Sequence, residues 1–175
     1  MRTKVLALVS IALLLACRLA VAANQYQPAE SPLRPGSIQP FDVAGTVTVS
    51  NGQSSTDELI VYSKGFGKWS SNLNAITETM VQQARSEIAK NGRVTAGGKP
   101  KTIELKVNSL RSEYKSFAHY YSSKMQFQVK LGDGQTIDKP VTHRSALALQ
   151  DLNGCIAEGV MLLLKDEKVL AYLAQ

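Results

Sequence analysis

Histidine, cysteine and tryptophan are scarce in this chain: 175 residues contain two, two and one of them. The two histidines, His119 and His143, have no second ligand at metal-site spacing, so neither a metal nor a cofactor is expected. Cys17 falls in the leader described below. Cys155 is then the sole thiol of the rest, which excludes an intramolecular disulfide. A marked excess of one charge is also missing. The formal charge is +6, but Arg2, Lys4 and Arg18 belong to or adjoin the leader, leaving 17 of the 20 basic residues against 14 acidic ones. That balance is too mild to imply a nucleic-acid partner. Neither glycine-rich stretch is a phosphate loop: no lysine-serine pair or helix follows Gly65-Phe66-Gly67, and Gly97-Gly98-Lys99-Pro100 runs into a proline and a strand.

What is present begins with an address. Arg2 and Lys4 form a positive start, residues 5–16 an apolar run too short to span a bilayer, and Ala20-Val21-Ala22 a small-x-small cleavage site. Residues 1–23 therefore read as an export signal. Leu14-Leu15-Ala16-Cys17 offers a second reading, a bacterial lipobox with Cys17 as the acylated residue; the second Leu and Arg18 depart from that pattern. Soluble secretion and lipidation both stay open. Residues 24–40 carry Pro28, Pro32, Pro35 and Pro40 among polar residues and read as an extended Pro-rich tether, with one domain over residues 41–175.

Alternation dominates that domain. Met125, Phe127, Val129 and Leu131 interleave with Lys124, Gln126, Gln128 and Lys130, the period-2 signature of a strand with one buried face. Ile103, Leu105 and Val107 precede it in the same pattern, and residues 135–149 follow more weakly, with Pro140 marking an edge strand. Asp133-Gly134 predicts a two-residue hairpin turn with positive φ. Residues 102–148 thus form a three-stranded antiparallel meander. An N-terminal strand over residues 41–50, ended by Asn51-Gly52, and a short run over residues 59–62 able to pair with it extend the sheet.

Two helical patterns can cover the apolar face. Leu73, Ile76, Met80, Ala84 and Ile88 share a face of the first, capped by Ser71 or Asn72 and stopped by a left-handed Asn91-Gly92. Trp69, just before it, reads as a core plug at the helix entry. Leu152, Ile156, Val160, Leu163 and Leu164 define the second, capped by Asp151 or Asn153, and Asp166 starts a last turn carrying Val169, Leu170 and Leu173. The expected fold is α+β: an antiparallel sheet covered on one face by two amphipathic helices.

No catalytic constellation is apparent. Cys155 lies at core spacing beside Leu152 and Ile156, and the histidines fall on different strands without an adjacent carboxylate. The densest aromatic and basic cluster, residues 111–121, supplies the candidate partner-binding residues Arg111, Tyr114, Lys115, Phe117, Tyr120 and Tyr121. The same rings would also serve as cross-strand pairs shielding a hairpin tip.

The order strand, long helix, meander, helix and short helix, with Asn91-Gly92, Val107 to Leu110 entering the aromatic hairpin, Arg144-Ser145-Ala146 in the last strand and the tail from Asp166 to Leu173, resembles the YajG-like family of bacterial envelope lipoproteins. More distantly it is similar to the lipopolysaccharide-assembly lipoprotein and the auxiliary lipoproteins of lipid-transport ABC systems. The resemblance implies no enzymatic activity and supplies no catalytic residues. The expectation is a non-catalytic exported protein of the periplasm or outer membrane, a binding or accessory module for an envelope protein or a lipid-like ligand. A secreted inhibitor or immunity-type protein is the alternative, and a hydrolase using Cys155, His119 or His143 a third reading.

Overall fold

In the computed structural model of the protein, residues 23–64 and 67–175 are described; Cys17, the leader before Ala23 and the Gly65-Phe66 pair lie outside the described residues. In chain order the elements are β1 (Asn24–Gln25), β2 (Phe41–Ala44), β3 (Val47–Asn51), β4 (Glu58–Lys64), β5 (Gly67–Asn72), α1 (Leu73–Asn91), β6 (Gly92–Thr95), β7 (Lys101–Lys115), β8 (Tyr120–Leu131), β9 (Thr136–Ser145), α2 (Ala148–Leu163) and α3 (Glu167–Leu173).

The three longest alternating runs pair as the meander: β7 with β8 and β8 with β9, both antiparallel. Ile103, Leu105, Val107, Phe127, Val129 and Leu131 line one face with almost no exposure, and α1 and α2 pack on that face. β9 is an edge strand, as Pro140 requires. The sheet as a whole is mixed rather than antiparallel. Its order is β1-β5-β4-β7-β8-β9, with β3 beside the first half of β7, and the β3·β7, β4·β7 and β1·β5 pairs are parallel.

Several local expectations are corrected by this topology. The alternating run over residues 41–50 is two strands, because Gly45 takes φ +80° and turns the chain between them. β2 leaves the main sheet to pair with β6, while β3 joins β7. The run over residues 59–62 lies in β4 and pairs with β5 and β7, not with the first strand. Gly92 ends α1 in an extended conformation, φ −79°, not a left-handed one. A Cβ there would lie 2.7 Å from the Ile88 carbonyl oxygen, so close approach accounts for this glycine. In the β8–β9 turn only Gly134 has positive φ, and Gly134 N–H and Leu131 N–H bond to Leu131 O and Gln135 O, giving a three-residue loop.

The cap expected at Asn72 is present, accepting from Ala75 N–H at 2.7 Å. α2 instead starts at Ala148 behind Leu147, which offers no side-chain cap, and Asp151 turns inward. Trp69 sits in β5, half-buried against the core, rather than plugging it.

Residues 24–40, expected as an extended tether outside the domain, are packed onto the fold. Tyr26 and Ile38 are 2% and 4% exposed, Tyr26 Oη donates to Asn153 at 2.6 Å, and Gln83 Nε2 donates to Ser31 O. The folded unit thus includes residues 24–40 and does not start near Phe41. This strap enters at a defined place. Asn24 pairs with Trp69, and Gly67 at the start of β5 pairs with Lys64 at the end of β4. Lys64 in turn donates to Ser116 in the β7–β8 loop at 2.6 Å. The chain therefore enters the domain at the end of the sheet that carries the hairpin apex.

One gap in the sheet is closed by side chains. Between the stretch of β7 paired with β3 and the point where Tyr62 meets Ser112, Val107 has no strand partner on that side. Thr77 Oγ1 of α1 accepts the Val107 N–H at 3.1 Å and Gln53 Nε2 donates to its carbonyl at 2.8 Å. An unmet buried backbone group costs about 1–3 kcal/mol. Thr77→Val, which preserves shape but removes the acceptor, should destabilise by that amount in chemical denaturation, whereas the same change at exposed Thr48 should not.

Asp166 caps α3, accepting from the N–H groups of Lys168 and Val169 at 2.9 and 3.2 Å and pairing with Lys139. Partial burial raises its pKa, but the Lys139 bond and the two backbone donors outweigh this and hold the carboxyl below its ordinary 3.8. A depressed folded-state pKa contributes stability that is complete above the unfolded value and lost as pH falls through the folded one. From about pH 5 to about pH 2 the wild-type melting temperature should fall more steeply than that of Asp166→Asn, which keeps a capping oxygen but cannot titrate.

Candidate partner-binding surface

The faces of the β7–β8 hairpin are fixed by a bulge. Val107 pairs with Phe127 and Ser109 with Gln126, so Asn108 is an extra residue on β7. Before it the odd-numbered side chains point inward; after it Leu110, Ser112 and Tyr114 do. This register splits the six candidate residues. Arg111, Lys115 and Tyr120 lie on the open face, Tyr114 and Tyr121 on the helix-covered face, and Phe117 at the apex.

On the covered face the rings form a chain across the strands. Trp69 meets Tyr62 at 5.8 Å between centroids, Tyr62 meets Tyr121 at 5.6 Å, and Tyr121 meets Tyr114 at 4.9 Å, all tilted. Burial pushes the Tyr62 phenol up, with the neighbouring Tyr121 adding to it. Lys64 Nζ stands 4.0 Å above the Tyr114 ring. Tyr114 and Tyr121 are thus committed to packing, and the shielding role accounts for them.

The open face and apex differ. Lys115 pairs with Glu113 at 2.7 Å, and that bond, with Arg111 and Lys124 adding, holds the Glu113 carboxyl below the usual carboxylate range. Arg111 stands directly opposite Lys124, two like charges in cross-strand register. Arg144 of β9 lies 5.3 Å from the Tyr120 ring centroid. Phe117 has no packing partner and is fully exposed. His119 holds the loop with φ 53°, and its Nδ1 lies 3.4 Å from Tyr114 Oη.

A second cluster was not foreseen. Asp151, with no exposure, accepts from Ser112 Oγ at 2.8 Å and from Ser123 Oγ, and His143 Nδ1 lies 3.3 Å from its other oxygen. The reading that no carboxylate adjoins either histidine is therefore corrected for His143. Its ring rests on Gly154, where a Cβ would lie 2.4 Å from the imidazole. Three polar residues at inward positions, Ser112, Ser123 and Asp151, were the available signal. Ser112 could be read as inward only once the Asn108 bulge was known. Both serines bond to Asp151 and neither to the imidazole, which is not the nucleophile-to-base arrangement of a hydrolytic triad.

His143 also forms one wall of a cavity of about 370 Å³ between the strap and α2, with Arg34 and Glu158 on its rim. Cys155 is buried one turn beyond Asp151, and burial, with Asp151 and Glu158 adding, pushes its thiol up and disfavours the thiolate. Among the described residues no group of three or more His, Cys, Asp and Glu side chains is placed to hold a metal ion.

The two clusters separate by stability. Asp151→Ala removes the common acceptor of two buried hydroxyls and should cost about 3–5 kcal/mol in chemical denaturation. Phe117→Ala should leave the midpoint unchanged. No protein-family model and no curated protein matches the chain.

Proposed function

We propose that this protein is an exported, non-catalytic module of the bacterial envelope, akin to the YajG-like lipoproteins, that binds a partner protein or lipid-like ligand through the apex and open face of its β7–β8 hairpin. The observation that carries the reading is Phe117: an aromatic side chain fully exposed at the tip of a well-paired hairpin. Burying such a ring against a partner is worth about 2 kcal/mol, whereas in the free protein it stabilises nothing. Arg111, Lys115 and Tyr120 surround it with the residue types favoured at interfaces.

The entry point of the chain sets where an anchor on Cys17 would place the hairpin. Only seven Cα steps separate Cys17 from Asn24, and an extended chain covers at most about 25 Å over that distance. If Cys17 is acylated, the hairpin end of the domain stands close to the membrane that holds it; if Cys17 is removed with the leader, the module is periplasmic.

The binding half of the reading is tested by site-specific photo-crosslinking. A photoreactive side chain at position 117 should capture a discrete envelope component, and adding Arg111→Ala and Tyr120→Ala should reduce capture at least tenfold without lowering the melting temperature. Undiminished capture in that variant would move the binding surface elsewhere. Export is tested separately: mass spectrometry should find a mature N-terminus at Cys17, Ala23 or Asn24, with a diacylglycerol on Cys17 deciding for the lipoprotein form. Intact Met1 in the cytoplasm would sink export.

A further inference from the structure

The large hydrophobic side chains that remain exposed are not evenly spread. Among the described residues they are Ile60, Val94, Phe117, Leu147 and Leu149, and the last three gather at one end of the sheet. Phe117 is the tip of the β7–β8 hairpin. β9 ends at Ser145, which pairs with Tyr121 one residue from the start of β8, so Leu147 and Leu149, 57% and 48% exposed, follow directly from that same end. Lys64, bonded to Ser116 of the loop, and Lys115 and Arg144 stand just behind them. The hairpin residues 111–124 hold a single carboxylate, Glu113, against Arg111, Lys115 and Lys124. The Ser116-Phe117-Ala118 stretch itself carries no charge.

From this juxtaposition we infer that the hairpin end of the domain is an interfacial membrane anchor, which inserts Phe117, Leu147 and Leu149 into the headgroup and upper acyl region of an anionic bilayer while Lys64, Lys115 and Arg144 engage lipid phosphates. The inference rests on the reading of the hairpin as the binding surface and names its partner. Apolar side chains at an apex with cations one step behind match the two layers of a lipid interface: the rings and aliphatic groups leave water, and the cations meet the anionic headgroups. Tyr120 sits at the depth of the cations, where amphipathic rings are favoured. The polarity of β1 is an independent argument. It runs away from this end, so the described chain enters the domain from the side that would face the membrane. A protein partner would be served equally by Phe117 and by the open sheet face, but would give no reason for exposed leucines on a different connection at the same end.

The test uses residues 23–175, which contain every described element and neither Cys17 nor the apolar leader. Phe117→Trp in a Trp69→Phe background places the only indole at the apex. Vesicles of phosphatidylglycerol and phosphatidylcholine in equal parts should shift its emission to the blue and expose it to bilayer-resident quenchers; vesicles of phosphatidylcholine alone should not, and added salt should reverse the effect. Neutralising Lys64, Lys115 and Arg144 to Gln should weaken partitioning by about fivefold per cation, roughly a hundredfold together. Phe117→Ser, Leu147→Ser and Leu149→Ser, all surface changes, should abolish it in sedimentation with the melting temperature retained. An unshifted emission on anionic vesicles at low salt overturns the assignment, as does equal binding to both vesicle types. If the vesicles are ignored while the position-117 crosslinker captures an envelope protein, the membrane assignment fails and the binding module stands.

Discussion

A single extra residue in β7 decides what the outside of this protein looks like. Because Asn108 has no partner on β8, the side-chain parity of β7 inverts at that point, and everything beyond it is turned over relative to a regular strand. Were the strand regular, Arg111, Glu113 and Lys115 would face the helices and Leu110, Ser112 and Tyr114 the solvent. The inversion puts Leu110 in the core, delivers Ser112 to Asp151, and leaves the cations outside. The bulge also falls where β7 changes neighbours, from β3 to β4, and the Val107 groups left without a strand there are met by Thr77 and Gln53. Sheet, helix and loop therefore lock together at one point.

Two kinds of cohesion meet on the covered face. Over most of it the cohesion is apolar, with Phe127, Leu105 and Ile156 sealed between sheet and helices. Toward the hairpin it becomes polar and then aromatic: first the Asp151 carboxylate with its two serines, then the Tyr62, Tyr121 and Tyr114 rings. A buried carboxylate satisfied from three sides tolerates few alternative packings, since each partner must arrive in a fixed geometry. That requirement sets α2 against β8 and β9 in one register.

Much of the fold was legible because it rests on periodicity. The alternation from Met125 to Leu131 and the helical face from Leu73 to Ile88 each report a buried side directly, and the structure bears out the three-stranded meander and both helices. What escaped were features that leave no periodic trace. The partner of a short strand is one: residues 47–51 alternate equally well beside β4 or β7, and only the crossover through α1 makes the pairing parallel. The strap is another, since Pro28, Pro32 and Pro35 read as an extended chain whether or not it is packed, and its anchors are the isolated Tyr26 and Ile38. The candidate surface was found in sequence by composition. Its division between two faces needed the bulge, and Leu147 and Leu149, read as the end of the third strand, needed the actual start of α2 at Ala148.

The strap has a consequence for how the chain reaches its folded state. Tyr26 near the start is held by Asn153 near the end, a contact separated by 127 residues. No amount of folding in the first half can close it, since the receiving helix, α2, lies near the C-terminus. A ribosome delivering this chain from its N-terminus therefore leaves the strap without its α2 partner until almost all of the chain has emerged, and contacts of such long sequence separation form slowly even then. The strap is thus a late-closing part of the fold, by the connectivity of the chain itself.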